Sequence, residues 1–246
     1  MLRLTSRRRY FRLFSLVLLL LCWLLPPVLA QQPAASSVNV SGVDGTMSPD
    51  GANDPHLRMT ALQASAPDDQ AKADEVAQVL REAIAPYTDI SLAEADGYRP
   101  FPPDPGDVRI VHYVDLGRSW QEGEGLDPRN PGSLLYERQA DGSLGLIGAM
   151  FTAPADASEA ELNDRVPLSI AQWHLHTNIC VPRPIWDADQ WAIEDSGQPR
   201  FGPESAIATE SACDAVGGDF WPTAFGWMVH AYVFADNSAD TWNPLY

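Results

Sequence analysis

Lysine is nearly absent. The 246-residue chain has 16 basic residues, and Lys72 is the single lysine among them, against 33 acids, for a net charge of −17. Without a basic patch there is nothing to neutralise phosphates and release counterions, which excludes a nucleic-acid binder and disfavours an anionic membrane surface. Cysteine is scarce too, with three in all, and histidine occurs five times. The catalytic signatures that announce themselves are missing. No GxSxG elbow, Walker loop, GxGxxG after a strand, HExxH or CxxC is present, which removes the best-marked hydrolase, nucleotide-binding, zincin and redox classes. Gly123-Glu124-Gly125 copies half a nucleotide fingerprint but lies in a polar loop.

The N-terminus reads as a targeting segment. Arg3, Arg7, Arg8, Arg9 and Arg12 precede an apolar run from Leu13 to Leu25, and Val28-Leu29-Ala30 offers small residues for cleavage. The run is short for a membrane span, and Pro26 and Pro27 end it. Residues 1–30 are therefore expected to be a signal peptide, compatible with either the general secretory or the twin-arginine route. The mature chain is expected in the periplasm or outside the cell, with no stable membrane association. Its 11 basic and 33 acidic residues leave a net charge of −22, which favours solubility and raises local cation concentration. Cleavage removes Cys22 and leaves Cys180 and Cys213. An even pair in an exported chain reads as a disulfide, with free thiols or thiolate ligands as the alternatives. Such a bridge would contribute roughly 3–4 kcal/mol by loop-closure entropy.

Residues 31–67, rich in Gln, Pro, Ala, Ser, Asn and Gly, read as a flexible tail. A helix is expected from Asp68 or Asp69 to about Ala85, because Val76, Val79, Leu80, Ala83 and Ile84 share one face. A second helix, capped by Ser91, should stop at Gly97. Strands are expected at Val108–Leu116, at Leu134–Glu137 and Leu144–Phe151 around an Asp141-Gly142 turn, and at Ala171–Ile179 and Phe225–Ala235. Residues 153–168 read as an acidic loop. The expected fold class is α+β: a single domain over 68–246 whose N-terminal helix or helices cap a mainly antiparallel sheet or partial barrel.

Chemistry falls to the histidines. In Gln172-Trp173-His174-Leu175-His176 the strand period of two puts both imidazoles on one face, one step apart, where they can share an ion. A third ligand must come from another strand, and His230 and His112 both sit in strand patterns. Glu137, ending Leu134-Leu135-Tyr136-Glu137, is the best acidic candidate, as ligand or as general base. Neutral imidazoles with or without a carboxylate suit Zn, Cu, Fe(II) or Mn(II), and spacing alone does not choose among these divalent transition metals.

These segments also resemble a family of exported bacterial proteins with no assigned activity. The likeness rests on Gly97-Tyr98, Val111-His112-Tyr113-Val114, Leu126-Asp127-Pro128, Leu134-Leu135-Tyr136-Glu137 and Asp141-Gly142. It continues through Trp173-His174-Leu175-His176, Cys180, Cys213, Trp227-Met228-Val229-His230 and Trp242-Asn243-Pro244. It covers roughly residues 87–246 and implies one constellation of His112, Glu137, His174, His176 and His230. It supplies no reaction.

A different class of function is open. Trp186, Trp191 and Trp221 lie in the segment closed by the two cysteines, and exposed aromatics on a β scaffold stack on sugars and other flat ligands. The leading expectation is thus an exported metal-binding protein, potentially a metal-dependent enzyme acting on an unidentified small molecule. The alternative is a non-catalytic carbohydrate- or ligand-binding module using the Trp-rich loop.

Overall fold

Short elements with strong local signals build the structure, a computed structural model that describes residues 54–234 and 240–243. The expected signal peptide and most of the expected tail lie outside the described residues. The chain begins with β1 (Leu57–Met59), then α1 (Asp69–Ile84), a 3-10 turn at Ala85–Thr88 and α2 (Ile90–Ala95). The strands β2 (Arg99–Pro100) and β3 (Ile110–Val114) lead into α3 (Leu116–Gln121). Next come β4 (Ser133–Arg138), β5 (Leu144–Ala153), α4 (Glu159–Arg165) and β6 (His174–Val181). The disulfide-closed segment holds α5 (Ala188–Trp191), a small hairpin of β7 (Glu194–Asp195) and β8 (Gln198–Pro199), and α6 (Glu210–Ala215). It ends in β9 (Asp219–Ala231).

Seven strands form one sheet in the order β1-β6-β9-β5-β4-β3-β2, and every neighbouring pair is antiparallel. The fold is α+β, with a mainly antiparallel sheet. Because alternate side chains take opposite faces, each strand supplies two layers. One face carries Val111, Tyr113, Tyr136, Phe151, Trp173 and Trp227, and packs with Ala73, Leu80 and Ile84 of α1 and Leu162 of α4 into the main core. The other face carries a smaller apolar cluster of Ile110, Leu135, Ile147, Met150, Met228 and Tyr232.

The second face is the inside of a curl. In a flat sheet, three strand spacings of about 4.8 Å would hold β9 and β3 roughly 14 Å apart. The rings of His230 on β9 and His112 on β3 are 5.6 Å apart. Phe101, just past β2, likewise meets Phe225 of β9 at 5.3 Å and Trp186 beyond β6 at 5.1 Å. Gly148 on β5 permits the bend: a Cβ there would lie 2.1 Å from the Ala231 carbonyl oxygen.

Several expectations change. The segment read as tail contributes β1, three residues pairing with β6 through Leu57↔His176 and Met59↔His174. Residues 153–168 are not a plain loop: Ser158 and Glu161 make a capping box that starts α4, a pattern present in the sequence. The cap of α2 is Asp89, which accepts from the Ser91 amide. β9 starts at Asp219, through Pro222. That half of β9 pairs with β6 alone, so on its open side a proline costs no ladder bond. Cys180 and Cys213 form the disulfide, with Cα atoms 5.5 Å apart.

Candidate metal centre

Two residues of β6 start the site. Trp173 and Leu175 point into the main core, 0% and 2% exposed, which turns His174 and His176 to the inside of the curl. At Leu175/His176 the ladder to β9 slips: Leu175 pairs with Trp227, then His176 with Ala224. The extra residues are Phe225 and Gly226, both at positive φ, 61° and 94°. A bulge of this kind re-aims neighbouring side chains. Gly226 is required there, since a Cβ would meet the Ala153 carbonyl oxygen at 2.2 Å.

β9 supplies His230 and β3 supplies His112, so all four strand histidines converge. Ring centroids lie 5.3 Å apart for His174 and His176, 5.0 Å for His174 and His230, and 5.6 Å for His112 and His230. Two imidazoles on one tetrahedral ion, with metal–nitrogen bonds near 2.1 Å, would place their centroids about 5.3 Å apart. These three separations are close to that spacing. Their nitrogens are not yet aimed: among the described residues, no three His, Cys, Asp or Glu side chains stand in ligating geometry.

His174 and His230 are buried, while His112 and His176 are half-buried. The Nδ1 of His174 and the Nε2 of His230 are buried without a hydrogen-bond partner, a costly state for a polar atom. Burial, and the other imidazoles after it, hold both rings well below the ordinary histidine range. His112 is pushed down to about 4 by burial and by His176. His176 is lowered by burial, against the opposing pull of the His56 carbonyl and of Asp54. All four are neutral at pH 7, the form that ligates a metal.

Neighbours select the free nitrogen. The Nδ1 of His176 lies 3.4 Å from the His56 carbonyl oxygen, which can only accept, so Nδ1 carries the proton and Nε2 keeps its lone pair. The Tyr232 hydroxyl engages Nδ1 of His230 at 2.9 Å, leaving Nε2 toward the cluster. His56 is itself pinned, with Nε2 2.7 Å from the Ser205 carbonyl oxygen and its own carbonyl accepting from the Thr177 amide at 3.0 Å. These are the orienting partners that ligand histidines need.

Glu137 occupies the same face, opposite Ile110 and diagonal to His112. Its Oε1 accepts from Nη2 and Nε of Arg109 at 2.8 and 3.0 Å. Its carboxylate is engaged in that pair, and among the described residues its hydrogen bonds run to no histidine. The tryptophans do not make one platform. Trp186 is 59% exposed and stands edge-on to Phe101, which meets Phe225, which meets Trp221 at 5.5 Å. Trp191 is half-buried, packs against the same small apolar cluster as Trp221, and donates Nε1–H to the Ile185 carbonyl at 2.7 Å. A cavity of about 240 Å³ runs beside Trp186, lined by Arg99, Phe101, Val114 and Leu116. A larger cleft of about 640 Å³ lies among Lys72, Glu124, Asp156 and Arg165. Neither cavity is lined by a histidine.

One buried carboxylate had no signal in the sequence. Glu122 ends α3 with its side chain 2% exposed, accepting from the amides of Gly132 and Thr152 at 2.7 and 2.8 Å and the Thr152 hydroxyl at 2.6 Å. Burial, partly offset by those bonds, pushes its carboxyl up to about 7.

Compared with known proteins, the chain matches no family model, no curated protein sequence and no solved structure. Among the described residues no helix is long and apolar enough to cross a membrane.

Proposed function

We propose that the chain, once exported, binds one transition-metal ion inside the curl of the sheet through His174, His230 and His176, with His112 as a fourth or replaceable ligand. The observation that carries this reading is the pair of buried, unpartnered ring nitrogens on His174 and His230, on rings 5.0 Å apart. His56, outside the cluster, has a protein polar atom beside each ring nitrogen, the carbonyl oxygens of Thr177 and Ser205 at 3.3 and 2.7 Å. A neutral imidazole with a buried lone pair and no donor facing it is what an ion would satisfy. The centroid separations of His174 from His176 and from His230, 5.3 and 5.0 Å, are close to that of two imidazoles on one ion. Glu137 stays with Arg109 and is left out of the ligand set. A bound ion would polarise a small molecule or water that reaches it.

The test is a Co(II) titration followed by ligand-field absorption. The expected result is an intense, saturable visible spectrum in the wild-type protein that is lost in His174→Ala/His230→Ala. A spectrum identical to free aqueous Co(II) in both would overturn the reading.

A second reading rests on Trp186 and Phe225, 59% and 54% exposed, the latter held at a positive φ of 61° that costs energy for a bulky residue. Exposed rings on strained backbone beside a cavity suit a sugar or another flat ligand. Under this reading the wild-type protein binds such a ligand with a Trp186-dependent fluorescence change and is indifferent to a chelator.

A further inference from the structure

Three methionines share the histidine face. Strand partners project to the same side with Cβ atoms about 4.5–5.5 Å apart. Met228 is the partner of His174 across β6 and β9, and Met150 is the partner of His230 across β5 and β9. Met59 flanks His174 from β1. Met228 and Met150 are buried, 3% and 8% exposed, in the apolar cluster that includes Tyr232, the hydrogen-bond partner of His230.

We propose that a thioether of Met228 or Met150 takes the replaceable fourth position beside His174, His230 and His176, making this a copper site that holds the ion as Cu(I). This rests on the metal-site reading above and names its ion. The chemistry of the donors decides it. Imidazole accepts Zn, Cu, Fe and Ni alike, whereas a neutral thioether is a soft ligand that selects Cu(I). Zinc takes thiolate, imidazole and carboxylate, and Fe(II) and Mn(II) sites draw on carboxylates. The nearest carboxylate on this face, Glu137, is paired with Arg109, and Asp54 acts on His176 from the sheet edge. Neutral donors in a buried pocket favour a singly charged ion, because the cost of desolvating it is lower than for a double charge.

The experiment is an anaerobic competition for Cu(I) against a chromophoric Cu(I) chelator, with Zn(II) titrated in parallel. It uses the wild-type protein, Met150→Leu/Met228→Leu and His174→Ala/His230→Ala. Cu(I) is the discriminating probe, because Cu(II) outcompetes Zn(II) at almost any nitrogen site. Met→Leu is close to volume-conserving, and thermal melts check that the fold is kept. The methionine variant should lose at least the roughly tenfold in Cu(I) affinity that even an outer-shell partner is worth, with Zn(II) affinity unchanged. Sulfur scattering at the copper absorption edge of the Cu(I)-loaded wild-type protein is the second readout. Cu(I) affinity unchanged in the methionine variant, or no sulfur neighbour at the edge, overturns the proposal while the histidine site stands. Failure of the wild-type protein to bind either ion overturns both.

Discussion

The imidazoles of His112 and His230 stand 5.6 Å apart although β5 and β4 lie between their strands in the sheet. That proximity is a property of the curl, and the curl depends on close backbone contact between β5 and β9. At Gly148 a methyl group would meet main chain, 2.1 Å from the Ala231 carbonyl oxygen and 2.9 Å from the Tyr232 Cα, with no flexible side chain to give way. Gly148→Ala should therefore cost about 3 kcal/mol or more, at the upper end for overpacking. It should also move His230 away from His112. Denaturant unfolding and the histidine ring resonances check the two parts.

Acid should destabilise the protein through the same cluster. The folded-state pKa values of His112, His174, His176 and His230 are all lowered, so between the unfolded value near 6.5 and the folded value the unfolded chain binds more protons. Their contribution is complete above about pH 6.5 and is lost as pH falls below it, for His112 down to about 4, by up to roughly 1.4 kcal/mol per pH unit for each group. Glu122 works in the opposite direction. Its raised pKa of about 7 means the folded state holds the extra proton between about pH 4.5 and 7, so its contribution is greatest at low pH and falls as pH rises. Stability should still decline on acidification, and more steeply in Glu122→Gln. Urea midpoints from pH 4 to 8 measure it.

Tyr232→Phe removes the hydroxyl that engages Nδ1 of His230 and keeps the ring in the core. Fold stability should change by about 1 kcal/mol, the worth of one hydrogen bond. Metal affinity should fall roughly 10–100-fold, as for the loss of an orienting partner. A purely structural tyrosine would move the first quantity and leave the second alone. Thermal melts with and without metal separate them.

The bridge between Cys180 and Cys213 ties the end of β6 to α6, over a sequence separation of 33. Cys180→Ala/Cys213→Ala should cost about 2–5 kcal/mol. Both sulfurs are buried against Gly218, where a Cβ would lie 2.5 Å from the Cys180 sulfur. Reduction should therefore need partial unfolding. Thiol labelling against denaturant concentration reads this out.

Much of this was legible from local patterns. The antiparallel strands, the Asp141-Gly142 turn and α1 follow from alternation, turn chemistry and helical spacing. The strand period alone places His174 and His176 together. The grouping of Met228, His230 and Tyr232 on one face was visible in Trp227-Met228-Val229-His230-Ala231-Tyr232 by the same rule. Its meaning needed the register, because only pairing across strands sets Met228 opposite His174 and Met150 opposite His230. The curl was not legible, since it arises from the bulge at Phe225-Gly226 and the close approach at Gly148. β1 was hidden because three residues amid Pro, Asn and Asp carry no period. Glu137 matched the pattern of a ligand, but its engagement by Arg109 depends on β3 lying beside β4. Of the three candidate tryptophans, only Trp186 is freely exposed, a distinction made by packing.

The most direct test is elemental analysis of the protein purified without a histidine tag, beside His174→Ala/His230→Ala, before and after dialysis against Zn(II), Cu(I), Fe(II) and Mn(II). The account predicts close to one metal ion per wild-type chain, copper foremost after dialysis, and essentially none in the variant. A bound ion at 100-fold its dissociation constant should also raise the melting temperature by about 5–10 °C. A wild-type protein that is isolated metal-free and takes up none of the four ions would contradict it.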